Sequence, residues 1–240
     1  MSVQARAAAV IVAAGSGTRF GDGAKVLARI GGQPLISWVL QAIEESLAVR
    51  ESILVTGAHT DAVIRQLIAD GPWSKPVTLV PGAQSRQRSV AAGVAAVPQD
   101  LSIVLVHDAA RPMVMSGDFD RCADAASASG AAIVAIPVPD TLKRVENGWI
   151  TSTVPRAGLW AAQTPQGFDR VRLTEACAIA RAEDREFTDE ASIFEYLGWP
   201  VAIVQGSQTN LKITHSEDLA LAEALLSARC ATLKRVPNDA

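Results

Sequence analysis

Two short segments hold the residue types best suited to chemistry. The first is Ala13-Ala14-Gly15-Ser16-Gly17-Thr18-Arg19-Phe20-Gly21, followed by Lys25. Small residues after a strand let backbone N–H groups close on a phosphate, and Arg19 and Lys25 add positive charge at the same place. A tight turn with two solvated cations has the same composition, so a glycine pair alone leaves both readings open. The second segment is His107-Asp108-Ala109-Ala110-Arg111-Pro112. A carboxylate at the end of a central strand is placed to hold Mg²⁺ or another divalent cation against substrate phosphates, because magnesium commonly takes one or two carboxylates plus phosphate oxygens and water. An Asp before Ala-Ala also serves as a turn cap. His107 reads as a packed strand-end residue rather than a ligand.

Other nucleotide-binding loops fit less well. A dinucleotide fingerprint needs a third glycine at fixed spacing and an acid after the second strand. Here Thr18-Arg19-Phe20 put one residue too many before Gly21, and the second strand ends in Thr56-Gly57. No Gly-Lys-Ser/Thr follows the loop, which removes the P-loop.

The elements that must position these residues alternate between strand and helix. Ala8 to Val12 reads as a buried strand. Leu35, Ile36, Val39, Leu40, Ile43 and Leu47 repeat at helical spacing after Pro34. Strands are expected at 53–55, 77–80, 103–106 and 132–136, with helices near 61–69 and 119–129 and a helix capped by Ser85 and stopped by Pro98. This βα alternation predicts an α/β fold with a mainly parallel sheet covered on both faces. Ligands of such sheets bind beyond the carboxyl ends of the strands, here after the first, third and fourth. The pattern breaks from Pro137 to Gly158, where Asn147-Gly148 signals a hairpin, and this segment reads as a β-arm leaving the sheet. Helices at 170–182 and from about Thr188, a strand at 201–204 and a last helix to about Ser227 follow. Thr214-x-x-Glu217 reads as the capping box of that last helix. No linker divides the chain, so one domain over 1–240 is expected, with 229–240 a frayed tail.

The composition narrows the function. Hydrophobic residues are 49% and the formal net charge is −3 with no basic block, which argues against a nucleic-acid binder or a membrane-surface protein. No apolar run reaches the ~20 residues of a membrane span, and no secretory signal is evident. Cys122, Cys177 and Cys230 lack CxxC spacing, so reduced, mostly buried thiols in a cytoplasmic protein are expected.

Further motifs are Asp140-Thr141-Leu142-Lys143-Arg144, Arg156 with Leu159-Trp160, Gln163-Thr164-Pro165-Gln166-Gly167-Phe168, Thr188-Asp189-Glu190-Ala191-Ser192 and Asn210-Leu211-Lys212-Ile213-Thr214. Together with the two segments above, they resemble the 2-C-methyl-D-erythritol 4-phosphate cytidylyltransferase family over about Ala7 to Leu226. The resemblance implies a Rossmann-like nucleotidyltransferase domain that transfers a cytidylyl group from CTP to a sugar-alcohol phosphate. Arg19 and Lys25 would stabilise the transition state and Asp108 would hold the metal. Ala13, Ala14, Gly15 and Ser89 would contact the cytosine, with Gly17, Gln84 and Ala109 completing the nucleotide-binding set. Arg111, Thr141, Arg156 and Lys212 would contact the acceptor. It also implies a homodimer whose arms reach the partner's acceptor pocket. Val12, Val26-Leu27, Gln84 and Thr209 depart from the family's usual residues. The nearest rival is ribitol-5-phosphate cytidylyltransferase, and Ala110, Lys143 and Arg144 favour methylerythritol phosphate over it. A non-catalytic nucleotide-binding protein is the alternative of another class. Thr188, Asp189 and Glu190 read as a structural helix start, a Thr cap followed by acids in the first turn.

Overall fold

The computed structural model describes residues 6–15 and 25–233. Its main strands are β1 (Ala7–Ala13), β4 (Val49–Thr56), β5 (Val77–Pro81), β6 (Ile103–Asp108), β7 (Ala131–Pro137), β10 (Trp160–Asp169) and β11 (Ala202–Gln205). They form one seven-stranded sheet in the order β11-β7-β10-β6-β1-β4-β5. Two short strands, β2 (Arg29–Ile30) and β3 (Gln33–Pro34), pair with each other. The helices are α1 (Leu35–Glu45), α2 (Asp61–Asp70), α3 (Arg86–Ala95), α4 (Ser116–Ser129), α5 (Arg170–Ala182), α6 (Glu190–Tyr196) and α7 (Asp218–Leu233).

The apolar strands are buried on both faces. Along β1, Ala7, Ala9, Ile11 and Ala13 pack into one core with α1, α2 and α4. Ala8 and Val10 point the other way, into a core shared with α3, α5 and α6. This period-two division is what a continuous apolar run must do when helices cover both sides. A smaller cluster of Ile30, Leu35, Met113, Ile213, Ala222 and Leu226 seats α7 beside the β2–β3 pair. Cys122 is buried and Cys177 half-buried, both free thiols. Burial pushes the pKa of each up to about 12, as suits inert core cysteines. No helix among the described residues is long and apolar enough to cross a membrane.

Parallel pairing of β6, β1, β4 and β5 brings their carboxyl ends to one edge. Val12 lies opposite Asp108, Ala13 opposite Thr56, and Thr56 opposite Pro81. The loops after β1, β5 and β6 therefore leave the sheet side by side. Gly82 closes this edge, donating its N–H to the Thr56 carbonyl at 2.8 Å. A Cβ there would sit 2.3 Å from the Ala14 Cβ, so only glycine allows the two loops to approach this closely.

The arm is a separate two-stranded sheet of β8 (Leu142–Glu146) and β9 (Trp149–Val154). Its turn has φ of 51° at Asn147 and 83° at Gly148, the double positive φ that favours Asn-Gly in two-residue hairpins.

Four expectations need correction. No strand was expected at Trp160–Asp169, yet β10 runs antiparallel to both β6 and β7 at the centre of the sheet. Thr188 is not the cap of α6: the Asp189 side chain accepts the Ser192 N–H at 3.0 Å. Thr214 does not cap α7 either. Its own N–H, at 2.6 Å, and that of His215, at 2.8 Å, donate to Asp218 Oδ2, so a carboxylate folds back over the turn and the helix starts at Asp218. That helix continues through Leu233, past Arg229, where the frayed tail was expected to begin.

Candidate functional site

A cleft of about 420 Å³ opens at the strand ends, lined by Val12 to Gly15, Lys25, Val26, Ala83 to Arg86, Ser89, Asp108, Ala110 and Lys212. An adjoining chamber of about 290 Å³ shares Arg86, Asp108 and Lys212 and adds Arg111, Ala162, Gln163, Thr164, Gln166, Thr188 and Asp189.

Each side of the cleft is built locally. Ser85 caps α3 by accepting the Arg88 N–H at 3.3 Å. Such a cap is worth about 1 kcal/mol, and it fixes the first turn from which Arg86 and Ser89 project. Ser89 is buried and its Oγ accepts the Ala83 N–H at 2.9 Å, tying the β5–α3 loop down. Gln84 accepts from Arg88 at 3.2 Å at the exposed rim. Lys25 opens a short 3₁₀ turn (Lys25–Leu27) anchored by buried Val26.

Asp108, 8% exposed, is the charged centre. Lys212 Nζ donates to its Oδ2 at 2.6 Å, and Arg86 Nε donates to its Oδ1 at 3.2 Å. Burial alone would raise the Asp108 pKa. Arg86 and then Lys212 overcome that and hold the carboxyl well below the usual carboxylate range. Glu190, 1% exposed, grips Arg86 from behind with contacts of 2.9 to 3.1 Å to both of its oxygens. Burial raises the Glu190 pKa and Arg86 opposes that rise; both oxygens accept guanidinium N–H bonds, the geometry of a charge-assisted pair.

A buried relay fixes the Asp108 backbone. The Asp108 N–H donates to Thr164 Oγ1 at 3.1 Å, and that hydroxyl lies 3.0 Å from His107 Nδ1. His107 Nε2 lies 3.3 Å from the Arg111 carbonyl, which can only accept. Nε2 therefore carries the proton and Nδ1 accepts from Thr164. Burial pulls the His107 pKa down to about 4, so this neutral form holds at neutral pH. Arg111 donates to the Asn210 carbonyl at 2.8 Å and the Ala162 carbonyl at 3.3 Å, and its buried Nε has no partner among the described residues.

The fold brings Ala13, Ala14, Gly15, Lys25, Gln84, Ser89, Asp108 and Lys212 into one cleft and Arg111 into the adjoining chamber. Ala109 is fully buried with its N–H on the Val12 carbonyl, and Ala110 faces the cleft instead. Thr141 and Arg156 lie at the base of the arm and line neither space. Arg156 donates to the Pro139 carbonyl. Gly17 and Arg19 lie outside the described residues. Sequence reasoning missed Arg86 and its partner Glu190, which are 104 positions apart, a separation that leaves no spacing signal. Gly82 and Thr164 were also missed as site-building residues.

Among the described residues no group of three or more His, Cys, Asp or Glu could hold a metal by itself. The donor set is one carboxylate beside a cationic cleft. That suits a divalent cation carried largely by substrate phosphates.

A cation-lined cleft of about 420 Å³ at the carboxyl edge of a mainly parallel α/β sheet suits a nucleotidyltransferase-like domain. Comparison with known proteins narrows the class. The family model described as 2-C-methyl-D-erythritol 4-phosphate cytidylyltransferase matches residues 7–228. A relative of that name from Synechocystis sp. is 46% identical over 226 residues, covering 92% of this chain and 97% of its own. The crystal structure of 2-C-methyl-D-erythritol 4-phosphate cytidylyltransferase from Thermus thermophilus superposes with a TM-score of 0.75 at 38% identity, covering 91% of this chain and 98% of that one. That of 4-diphosphocytidyl-2C-methyl-D-erythritol synthase from Anaerococcus prevotii gives 0.82 at 27% identity, covering 94% and 100%. The chain belongs to the 2-C-methyl-D-erythritol 4-phosphate cytidylyltransferase family.

Proposed function

We propose that the cleft and its adjoining chamber carry the family's reaction between them. The enzyme transfers the cytidylyl group of CTP to 2-C-methyl-D-erythritol 4-phosphate, giving 4-diphosphocytidyl-2-C-methyl-D-erythritol and pyrophosphate in isoprenoid precursor synthesis. The observation that carries the assignment of roles is the convergence of Lys25, Arg86, Asp108 and Lys212 at one strand edge.

The attacking group is a phosphate monoester. Its second pKa is about 6, so it is mostly a dianion at pH 7 and no side chain need remove a proton. The task left to the protein is to align it with the α-phosphate and neutralise charge there. The loop after β1, with Ala13, Ala14, Gly15 and Gly17, cradles the nucleotide against Ser89, Gln84 and the Ala109 turn. Lys25, which lines the cleft, offers charge to the transition state, the role that the resemblance also gives to Arg19. Lys212 and Arg111, whose buried Nε has no partner among the described residues, offer donors to the acceptor. Asp108 would hold Mg²⁺ or another divalent cation, which supplies positive charge to the triphosphate when bound. Asp108→Asn keeps the shape and loses the charge. It should raise the Mg²⁺ needed for half-maximal activity, and an unchanged titration removes the metal role.

Thr141 and Arg156 line neither space of their own chain. The arm exposes Val145, Trp149 and Ile150, with Trp149 78% exposed. An apolar patch of this kind marks an interaction surface, and two arms meeting about a two-fold axis would bury it. In the homodimer so formed, each arm serves the neighbour's acceptor chamber. A cytoplasmic site of action is in keeping with the free thiols of Cys122 and Cys177.

A further inference from the structure

Arg86 is shared between two carboxylates. It reaches Asp108 Oδ1 from Nε and Nη2, each at 3.2 Å, while Nη1 and Nη2 take both oxygens of Glu190. Asp108 also faces Lys212. Two uncompensated cations against one carboxylate would leave the position net positive and hostile to a divalent ion. Glu190 alters that balance. It is 1% exposed, lines neither the cleft nor the chamber, and holds Arg86 through both carboxylate oxygens.

We propose that Glu190 is a positioning residue for nucleotide binding: it holds the guanidinium of Arg86 and offsets its charge, leaving Asp108 negative enough to accept the divalent cation that accompanies the triphosphate. This rests on the reading of Asp108 as the cation's carboxylate. The four charges, Arg86, Lys212, Asp108 and Glu190, sum to zero, and removal of Glu190 alone makes the sum +1. The loss should therefore penalise the cation and spare, or even strengthen, binding of metal-free CTP.

The test is calorimetric titration with CTP, without acceptor, in saturating Mg²⁺ and in EDTA. The readout is the ratio of the two affinities. A defect in packing alone would lower the fraction of competent protein and leave this ratio untouched. Glu190→Gln should reduce the ratio by about 10²-fold, the scale for one added charge acting on a divalent ion ~10 Å away at an effective dielectric of ~20. Arg86→Gln should raise it. The Arg86→Gln/Glu190→Gln double variant should return it to within about twofold of the wild type while binding CTP more weakly overall. Replacing both members of a buried ion pair leaves neither charge stranded, so the double variant and Arg86→Gln carry the test even if Glu190→Gln fails to fold. Equal ratios across the variants overturn the proposal. A wild-type protein whose CTP affinity ignores Mg²⁺ overturns the reading of Asp108 as well, which separates the two failures.

Discussion

His107 gives the protein a defined weakness to acid. Its ring is buried, tilted against Phe119 at 5.2 Å between centroids, and bonded between Thr164 and the Arg111 carbonyl. Burial lowers its pKa to about 4, against ~6.5 in an unfolded chain. The unfolded chain therefore binds a proton at a higher pH than the folded one, and stability falls as pH drops through this interval. Linkage gives a loss of about 2 kcal/mol between pH 7 and pH 5, approaching ~3 kcal/mol below pH 4. For a chain of this size the loss at pH 5 lowers the melting temperature by roughly 4–8 °C. The assay is urea unfolding of the wild type and His107→Gln at both pH values. The introduced glutamine cannot titrate and can still donate to the Arg111 carbonyl, while every other titrating group is common to both proteins and cancels. The variant should be less stable at pH 7 and should lose about 2 kcal/mol less than the wild type on going to pH 5. Identical losses in the two proteins would refute a buried, neutral His107. Asp108 adds nothing in this window: with its folded pKa depressed, its contribution is complete above ~4 and is lost only as pH falls below that.

Lys25→Ala should lower turnover by about 10²–10³ with an unchanged melting temperature, because the lost contact is to charge that develops in the transition state. Near-normal turnover would remove Lys25 from the catalytic set. Mixing inactive Lys25→Ala and Arg156→Ala proteins under subunit exchange should restore activity, since each mixed dimer would then hold one site with both defects and one with neither. A dead mixture, with exchange confirmed by mass, would show that the arm acts within its own chain. Trp149→Ala should weaken the dimer in a dilution series by sedimentation. Unchanged association would place the dimer contact elsewhere.

Local signals made part of this molecule legible. The continuous apolar runs of β1 and β6 announced strands buried on both faces, Ser85 announced the start of α3, and Asn147-Gly148 announced the arm. The βα order then placed the cleft, because parallel strands must align their carboxyl ends. What stayed hidden depended on partners distant in sequence. β10 carries Gln163, Thr164 and Gln166, polar residues that look like a loop until their bonds to Ser207, His107 and Asp189 are seen. Asp218 accepts the N–H groups of Thr214 and His215, and α7 begins at Asp218 itself, four residues past the Thr that local spacing singled out. Glu190 reads as an ordinary first-turn acid, and only the fold turns it toward Arg86. The motifs that resemble the family covered the cleft well, but resemblance named contacts without saying what holds them in place.

The central claim is that this chain joins CTP to methylerythritol phosphate at the Lys25–Asp108–Lys212 cleft. Pyrophosphate release with CTP and Mg²⁺ tests it directly, with three arms: 2-C-methyl-D-erythritol 4-phosphate, ribitol 5-phosphate and no acceptor. Release should match the methylerythritol phosphate consumed, one for one, and stay near background in the other two arms. Equal release with ribitol 5-phosphate, or release without any acceptor, would contradict the account.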